Sequence, residues 1–306
     1  MTREKKKSRS FLSNPMDLLK AIGFAEEKST AGFRLCLLVD TSLDPGLLAY
    51  AKESFRPVTD NLSISVIFYD KELPPFPLGS ELAIIMAAEA PITGRLLISA
   101  LRERVPTAVV TLDPVLLQRI ARENGSEIDL LSIVTVADLS EKQERFQRLF
   151  QELGSWIARE LSDGLLPLAR ALTFVRDPYV KNAIQAVSLQ NAAIAAAFFV
   201  PGPDMPLLTL NQVRLFLQIA TAYNAEIDSQ RLKELVVLVI SGLGLRGFAR
   251  SFVKLVPIIG WAVRGAVAFT ATLAIGKAAQ KYFENGGNLM EALEGLKPIA
   301  IMKAMH

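Results

Sequence analysis

Between Phe33 and Asp163 short apolar runs alternate with stretches of helical spacing. The runs are 33–39 (FRLCLLV), 63–69 (SISVIFY), 82–87 (LAIIMA), 107–112 (TAVVTL) and 130–136 (LLSIVTV). Helical spacing fills 45–55, 92–104, 114–124 and 140–162. Near-continuous apolar strands separated by helices predict a mostly parallel, five-stranded sheet covered on both faces. Residues 70–81 (DKELPPFPLGSE) differ, with three prolines and no helical period. They predict an antiparallel hairpin between the second and third strands at the sheet edge.

From residue 164 onward the period is helical throughout. One segment, 178–200, stops at PGPDMP (201–206). Thr209 and Gln212 have capping-box spacing and predict a helix over 210–224. Asp228 caps 229–240, and SGLGLRG (241–247) is a glycine-rich break. A helix begins near Leu245, Pro257–Gly260 interrupts it, 261–283 continues to NGG (285–287), and 288–296 closes the chain. The expected organisation is a basic segment over 1–32, an α/β domain over 33–163 and an all-α domain over 164–306. The length of 306 residues fits two domains of roughly 100–200 residues each.

Composition sharpens the second half. Hydrophobic residues make up 51% of the chain and charged ones 21%, slightly more apolar than the average of about 45–50% and about 25%. That excess goes into a large core or a membrane. Residues 164–280 hold 16 charges in 117 positions, and 235–283 contain no acid while carrying bases that include Arg246, Arg250, Lys254, Arg264 and Lys277. Two stretches approach the length of a membrane span, about 20 apolar residues. Residues 182–200 are diluted by Gln185, Gln190 and Asn191, and the 22 residues of 255–276 are interrupted by Arg264. A central Arg costs about 2.5–3.5 kcal/mol on insertion. Trp261 with Arg264 also suits an interface. Arg246, Arg250 and Lys254 recur every four residues and so line one helix face, with Phe248 and Phe252 off that stripe. Such a basic amphipathic helix fits a membrane surface, and it equally fits a surface helix whose aromatic side enters a core.

The net charge of +3 is concentrated at the start: the first ten residues carry five bases and one acid, and the other 296 sum to −1. A nearly neutral body argues against a nucleic-acid-binding domain. The basic start suits a solubilising tail or attraction to anionic lipid, at about 1 kcal/mol per base near the surface. No apolar stretch of a secretory signal follows it, so the terminus is expected to stay cytoplasmic. The one Cys, Cys36, and the one His, His306, exclude an internal disulfide, a cysteine zinc site, a Ser-His-Asp triad and a Cys-His pair. Cys36 is expected to be a small buried strand residue.

The strand and helix order over 33–162 resembles a shortened small-GTPase fold, hairpin included. The nucleotide motifs are missing. The loop after the first strand reads VDTSLDPGLLAY (39–50), with one Gly, no Lys, and Asp40 and Asp44 where phosphate would sit. After the fourth strand, VVTLDPVLL (109–117) lacks the guanine-reading Asn-Lys-x-Asp. Asp40, Ser42 and Asp44 resemble the metal loop of von Willebrand A-type domains, whose oxygen donors suit Mg²⁺ or Ca²⁺. The competing reading is a cap, with Asp44 as N-cap and Pro45 at the first helical position.

PGPDMPLLTLNQVRLFLQIATAYN (201–224), EID (226–228), GLGLRGFAR (242–250) and LVPIIGWAVRGAVAFTATLAIGKAAQKYFE (255–284) occur in that order. This stretch resembles the helical domain of the YcjF-type bacterial family. The resemblance implies a membrane-associated helical domain following a GTPase-like one. Together these features predict a non-catalytic, cofactor-free protein. Its GTPase-like domain would be an interaction surface, and its helices would attach, as an integral or peripheral element, to inner-leaflet lipid on the cytoplasmic side of the bacterial inner membrane. A GTPase or a second copy is the expected protein partner, with no nucleic acid. Two alternatives rest on the same residues: a soluble, cytoplasmic helical interaction module, and a metal-dependent enzyme using Asp40, Ser42 and Asp44.

Overall fold

In a computed structural model, residues 32–76, 78–88, 90–113, 115–124, 133–135, 142–161, 165–197, 205–225 and 260–286 are described. The chain divides into two compact units, the first running Lys28–Tyr179 and the second comprising Val180 and the residues beyond it.

The first unit is an α/β layer structure. Its elements are β1 (Phe33–Asp40), α1 (Pro45–Ser54), β2 (Leu62–Tyr69), β3 (Leu82–Met86), α2 (Ala90–Glu103), β4 (Thr107–Thr111), α3 (Leu116–Asn124), β5 (Ile133–Thr135), α4 (Lys142–Glu160) and α5 (Leu165–Ala171). All five strands are parallel, in the order β2-β1-β3-β4-β5. The α/β-then-all-α class read from the sequence is what the chain adopts, but the edge hairpin is not. Leu35 pairs with Ile64 on β2 and with Leu82 on β3, so β1 separates the two strands expected to touch. A parallel crossover needs about a dozen residues. Residues 70–81 supply them, and their prolines keep the connection extended instead of helical.

Strand alternation sends side chains to both faces, and both faces are covered, which is why the runs are apolar without a break. Cys36, Leu38, Ala83, Ile85 and Val109 lie on one face against Ile92, Leu96 and Leu97 of α2 and Leu116 and Ile120 of α3. On α1 and α4, Tyr50 sits 5.2 Å from Phe150, ring centre to ring centre. Phe55, Phe150 and Phe174 form an edge-to-face triad with centroids 5.2–5.5 Å apart. Phe174 belongs to α6 (Thr173–Ala197). Phe174 thus packs within the first compact unit, which runs to Tyr179. Val58 N–H donates to Ala171 O at 3.0 Å, tying α5 to the β2 approach. Pro178 stands inside α6, so the Phe174 carbonyl loses its helical donor four residues on. That carbonyl lies against Gly154 of α4, where an added Cβ would be 2.2 Å from the oxygen.

In the second unit α6 from Val180, α7 (Met205–Ala222) and α8 (Gly260–Glu284) are described. The three converge at Gly276, where a Cβ would meet Ile184 at 2.7 Å and Leu215 at 3.2 Å. Beside this small-residue packing lies a buried polar cluster. Asn191 Nδ2 donates to Thr272 Oγ1 (2.9 Å), Asn211 Nδ2 to Asn191 Oδ1 (2.8 Å) and Gln212 Nε2 to Thr272 Oγ1 (3.1 Å). Gln212 Oε1 is buried without a partner. α7 begins at Met205, so Thr209 and Gln212 are interior helix residues and not a capping box. Among the described residues no helix is long and apolar enough to cross a membrane. The described part of the 255–276 run is the 17 residues Gly260–Gly276, with Arg264 in its second turn and Lys277 after it. The span considered for that run is therefore not formed by α8. The predicted helices over 229–240, 245–256 and 288–296 lie outside the described residues.

Candidate functional site at the carboxyl ends of the strands

In an open parallel sheet, ligands bind outside the carboxyl ends of the strands, where the chain order reverses. With the order 2-1-3, that crevice lies between β1 and β3. The strand after β1 is laid down on one side and the strands after β3 on the other. Asp40, the last residue of β1, sits in this position and is 4% exposed. Its Oδ1 accepts from the Ser42 N–H (2.9 Å) and Oγ (2.6 Å), and its Oδ2 accepts from the Ala88 N–H just beyond β3 (3.2 Å). One carboxylate thus joins the ends of the two strands that frame the crevice.

Asp44 has a different task. Its Oδ1 accepts from the N–H groups of Gly46 (2.8 Å) and Leu47 (3.1 Å), with Pro45 at the first helical position. This is the N-cap anticipated from sequence, and it satisfies two of the donors that a helix start leaves open. Asp40 and Asp44 are thereby directed at separate backbone groups, and Ser42 Oγ turns inward to Asp40. Among the described residues, no three His, Cys, Asp or Glu side chains are grouped to hold a metal ion. Cys36 is fully buried in β1, and burial pushes its thiol up to about 11.

Two strands further along, Thr111 ends β4 and its Oγ1 accepts from the Asp113 N–H (3.1 Å). Asp113 in turn accepts from the Val115 N–H (2.9 Å) and pairs with Arg119. Arg145, in the first turn of α4, donates from Nη2 to Leu112 O at 2.8 Å. Thr135 ends β5, and its Oγ1 and Arg145 Nε are buried without partners. Neither residue stood out in the sequence, because a strand-end Thr and a helix Arg belong to no motif.

The outer edge of the sheet is of another kind. Among the described residues β2 pairs with β1 alone, so a row of its N–H and C=O groups faces away from that sheet. Residues 62–69 carry no charge. Val66 and Phe68, on one face, are 49% and 65% exposed.

Of the residues singled out for membrane or partner contact, Arg246, Phe248, Arg250, Phe252 and Lys254 lie outside the described residues. Trp261 falls in the first turn of α8, and Arg264 is half-buried one turn later. Comparison with protein-family models, curated proteins and solved structures finds no match for the chain.

Proposed function

We propose that this is a non-catalytic, membrane-associated interaction protein of the cytoplasmic face of the bacterial inner membrane. The α/β unit is the partner-binding part, and the helical part adheres to lipid. The observation that carries this reading is the closed crevice between β1 and β3. A phosphate loop presents free backbone N–H groups at this place. Here the N–H groups of Ser42, Gly46, Leu47 and Ala88 are already held by Asp40 and Asp44. Two carboxylates also repel a triphosphate. Binding then falls to the surface, and the uncharged β2 edge suits strand addition by an extended segment of a partner protein, such as a GTPase, or of a second copy.

Membrane attachment rests on the basic stripe of Arg246, Arg250 and Lys254 with Phe248 and Phe252, on the acid-free stretch 235–283, and on the basic first ten residues. The resemblance to the YcjF-type family supports the same placement. Since no described helix meets the needs of a span, the attachment proposed is interfacial. Cell fractionation tests it. The protein should pellet with membranes and leave them in high salt, because surface electrostatics are screened. A triple variant, Arg246→Glu, Arg250→Glu and Lys254→Glu, should not pellet. Retention through salt and alkaline carbonate would replace the interfacial reading with insertion. A protein that never pellets would leave the soluble interaction module.

A further inference from the structure

We propose that β2 is a self-association edge: two copies of the chain pair their β2 strands antiparallel about a two-fold axis at Val66, joining two five-stranded sheets into one. This pairing rests on the reading of the β2 edge as a strand acceptor, and its occupant is a second copy. The Phe33 N–H donates to Asn61 O and the Thr41 N–H to Tyr69 O, both at 3.0 Å. Backbone groups along a strand alternate in direction, so Ser63, Ser65 and Ile67 also bond toward β1. Leu62, Ile64, Val66 and Phe68 direct their N–H and C=O groups the other way, where no described strand lies. The same four side chains share one face, and on it Val66 and Phe68 are 49% and 65% exposed. The polar groups and the apolar side chains that an added strand covers therefore belong to the same residues.

The strand carries none of the devices that keep edges apart. Residues 62–69 hold no Pro and no charge of either sign, and they stay in unbroken register with β1, without a bulge. A second copy of this edge therefore brings no like charge against it. The register follows from the faces. Antiparallel partners lie on the same face, so end-to-end overlap is forbidden, because it would set Leu62 against Tyr69 from the opposite face. The longest overlaps left are centred on Ser65 and on Val66. Centring on Ser65 sets Asp60 opposite Asp70, a like pair at both ends. Centring on Val66 sets Asp70 opposite Leu62, and Lys71 and Glu72 opposite Asn61 and Asp60, a mixture of signs. It also places Val66 against its copy and Ile64 against Phe68, a β-branched and aromatic pair of the kind that stabilises sheets. In each of these pairs the outward N–H and C=O groups meet, so Val66 exchanges both of its bonds with its copy. The arrangement is isologous and closes at two copies.

Sedimentation of the full-length protein in high salt, which screens attachment to membranes, tests the pairing together with introduced cysteines. Wild type should sediment as a dimer. Val66→Lys sets two ammonium groups against each other at the axis and should sediment as a monomer, with an unchanged circular dichroism spectrum. Val66→Cys puts thiols on residues whose Cα atoms are about 5.5 Å apart, inside the disulfide range of about 4.4–6.8 Å. Mild oxidation should convert it to a covalent dimer. Ser63→Cys, whose copy lies about 20 Å along the paired strand, should stay monomeric on a denaturing gel. The native Cys36 is buried and does not compete. A monomeric wild type, a dimer unmoved by Val66→Lys, or cross-linking of Ser63→Cys as fast as of Val66→Cys would each overturn the proposal. Native maleimide labelling of a monomeric Val66→Cys protein then separates the two readings. A thiol that labels in the folded state leaves the edge as an acceptor for another protein's strand, and one that labels only in urea shows an edge covered by its own chain and removes both. Val66→Cys decides the matter even if Val66→Lys fails to fold.

Discussion

Replacing Gly154 by Ala tests how α4 and α6 are held together. In an ordinary helix this change stabilises, by about 1 kcal/mol, because Ala is the better helix former. Here the new Cβ would stand 2.2 Å from the Phe174 oxygen and 3.3 Å from Pro178 Cγ, where ordinary contact begins at 3.4 Å. Relief requires a shift of about 1.2 Å, the difference between 3.4 and 2.2. The obstacle is backbone, so no side-chain rotation provides it. The shift also separates Phe174 from Phe55 and Phe150, at 5.3 and 5.2 Å. Overpacking costs about 1–3 kcal/mol, and each loosened aromatic pair about 0.5–1.5 kcal/mol. Against the gain from propensity, the net loss is about 2–4 kcal/mol, a large share of the usual 5–15 kcal/mol. Urea unfolding followed by circular dichroism and by the fluorescence of buried Trp156 on the same helix measures it. Ser155→Ala, on the exposed side of α4, is the control and should change stability by less than about 0.5 kcal/mol. A Gly154→Ala protein as stable as wild type would refute the reading, since α4 and α6 would then not meet at this carbonyl.

Two further outcomes follow from buried groups. Cys36, its thiol pushed up to about 11 by burial, should ignore a thiol reagent in the native state at pH 8 and react fully in urea. With the folded value above the unfolded one, stability should begin to fall above about pH 9 and level off above about pH 11; rapid native labelling at pH 8 would contradict the burial. In the helical unit, Asn191→Ala strips Asn211 of its buried acceptor and Thr272 of one of its two donors and should cost about 2–3 kcal/mol. Gln212→Leu removes an amide whose oxygen is already unpartnered and should cost less than about 1 kcal/mol. Thermal unfolding of both variants checks the order, and a reversed order would show that the cluster is organised around Gln212.

Much of the α/β unit was legible from apolar periodicity. β1, β2, β3 and β4 begin and end within one residue of the runs at 33–39, 63–69, 82–87 and 107–112. The Asp44–Pro45 start of α1 was equally readable, because a cap is local chemistry. What failed was non-local. Parallel and antiparallel neighbours leave the same signature in an isolated strand, so the proline-rich 70–81 segment read as a hairpin although it is long enough to cross β1. Thr209 and Gln212 match a capping box, but their polar groups face a core in which Gln212 meets Thr272 sixty residues away. Tertiary hydrogen bonding decided the matter there. Helical spacing after 164 likewise does not reveal that Phe174 completes an aromatic triad with α1 and α4.

The loop that invited a metal reading is occupied by its own backbone. A doubly wound sheet leaves a crevice at its switch point by geometry alone, and a binding protein fills it with ligand. This chain fills it with Asp40, which holds Ser42 through two bonds and fastens β1 to the end of β3 through a third, from the Ala88 N–H. Once those N–H groups are engaged, Asp40 cannot be given over to a ligand without releasing them in a buried place, at about 1–3 kcal/mol each. Conversion to a phosphate or metal site would therefore cost stability before any binding was gained.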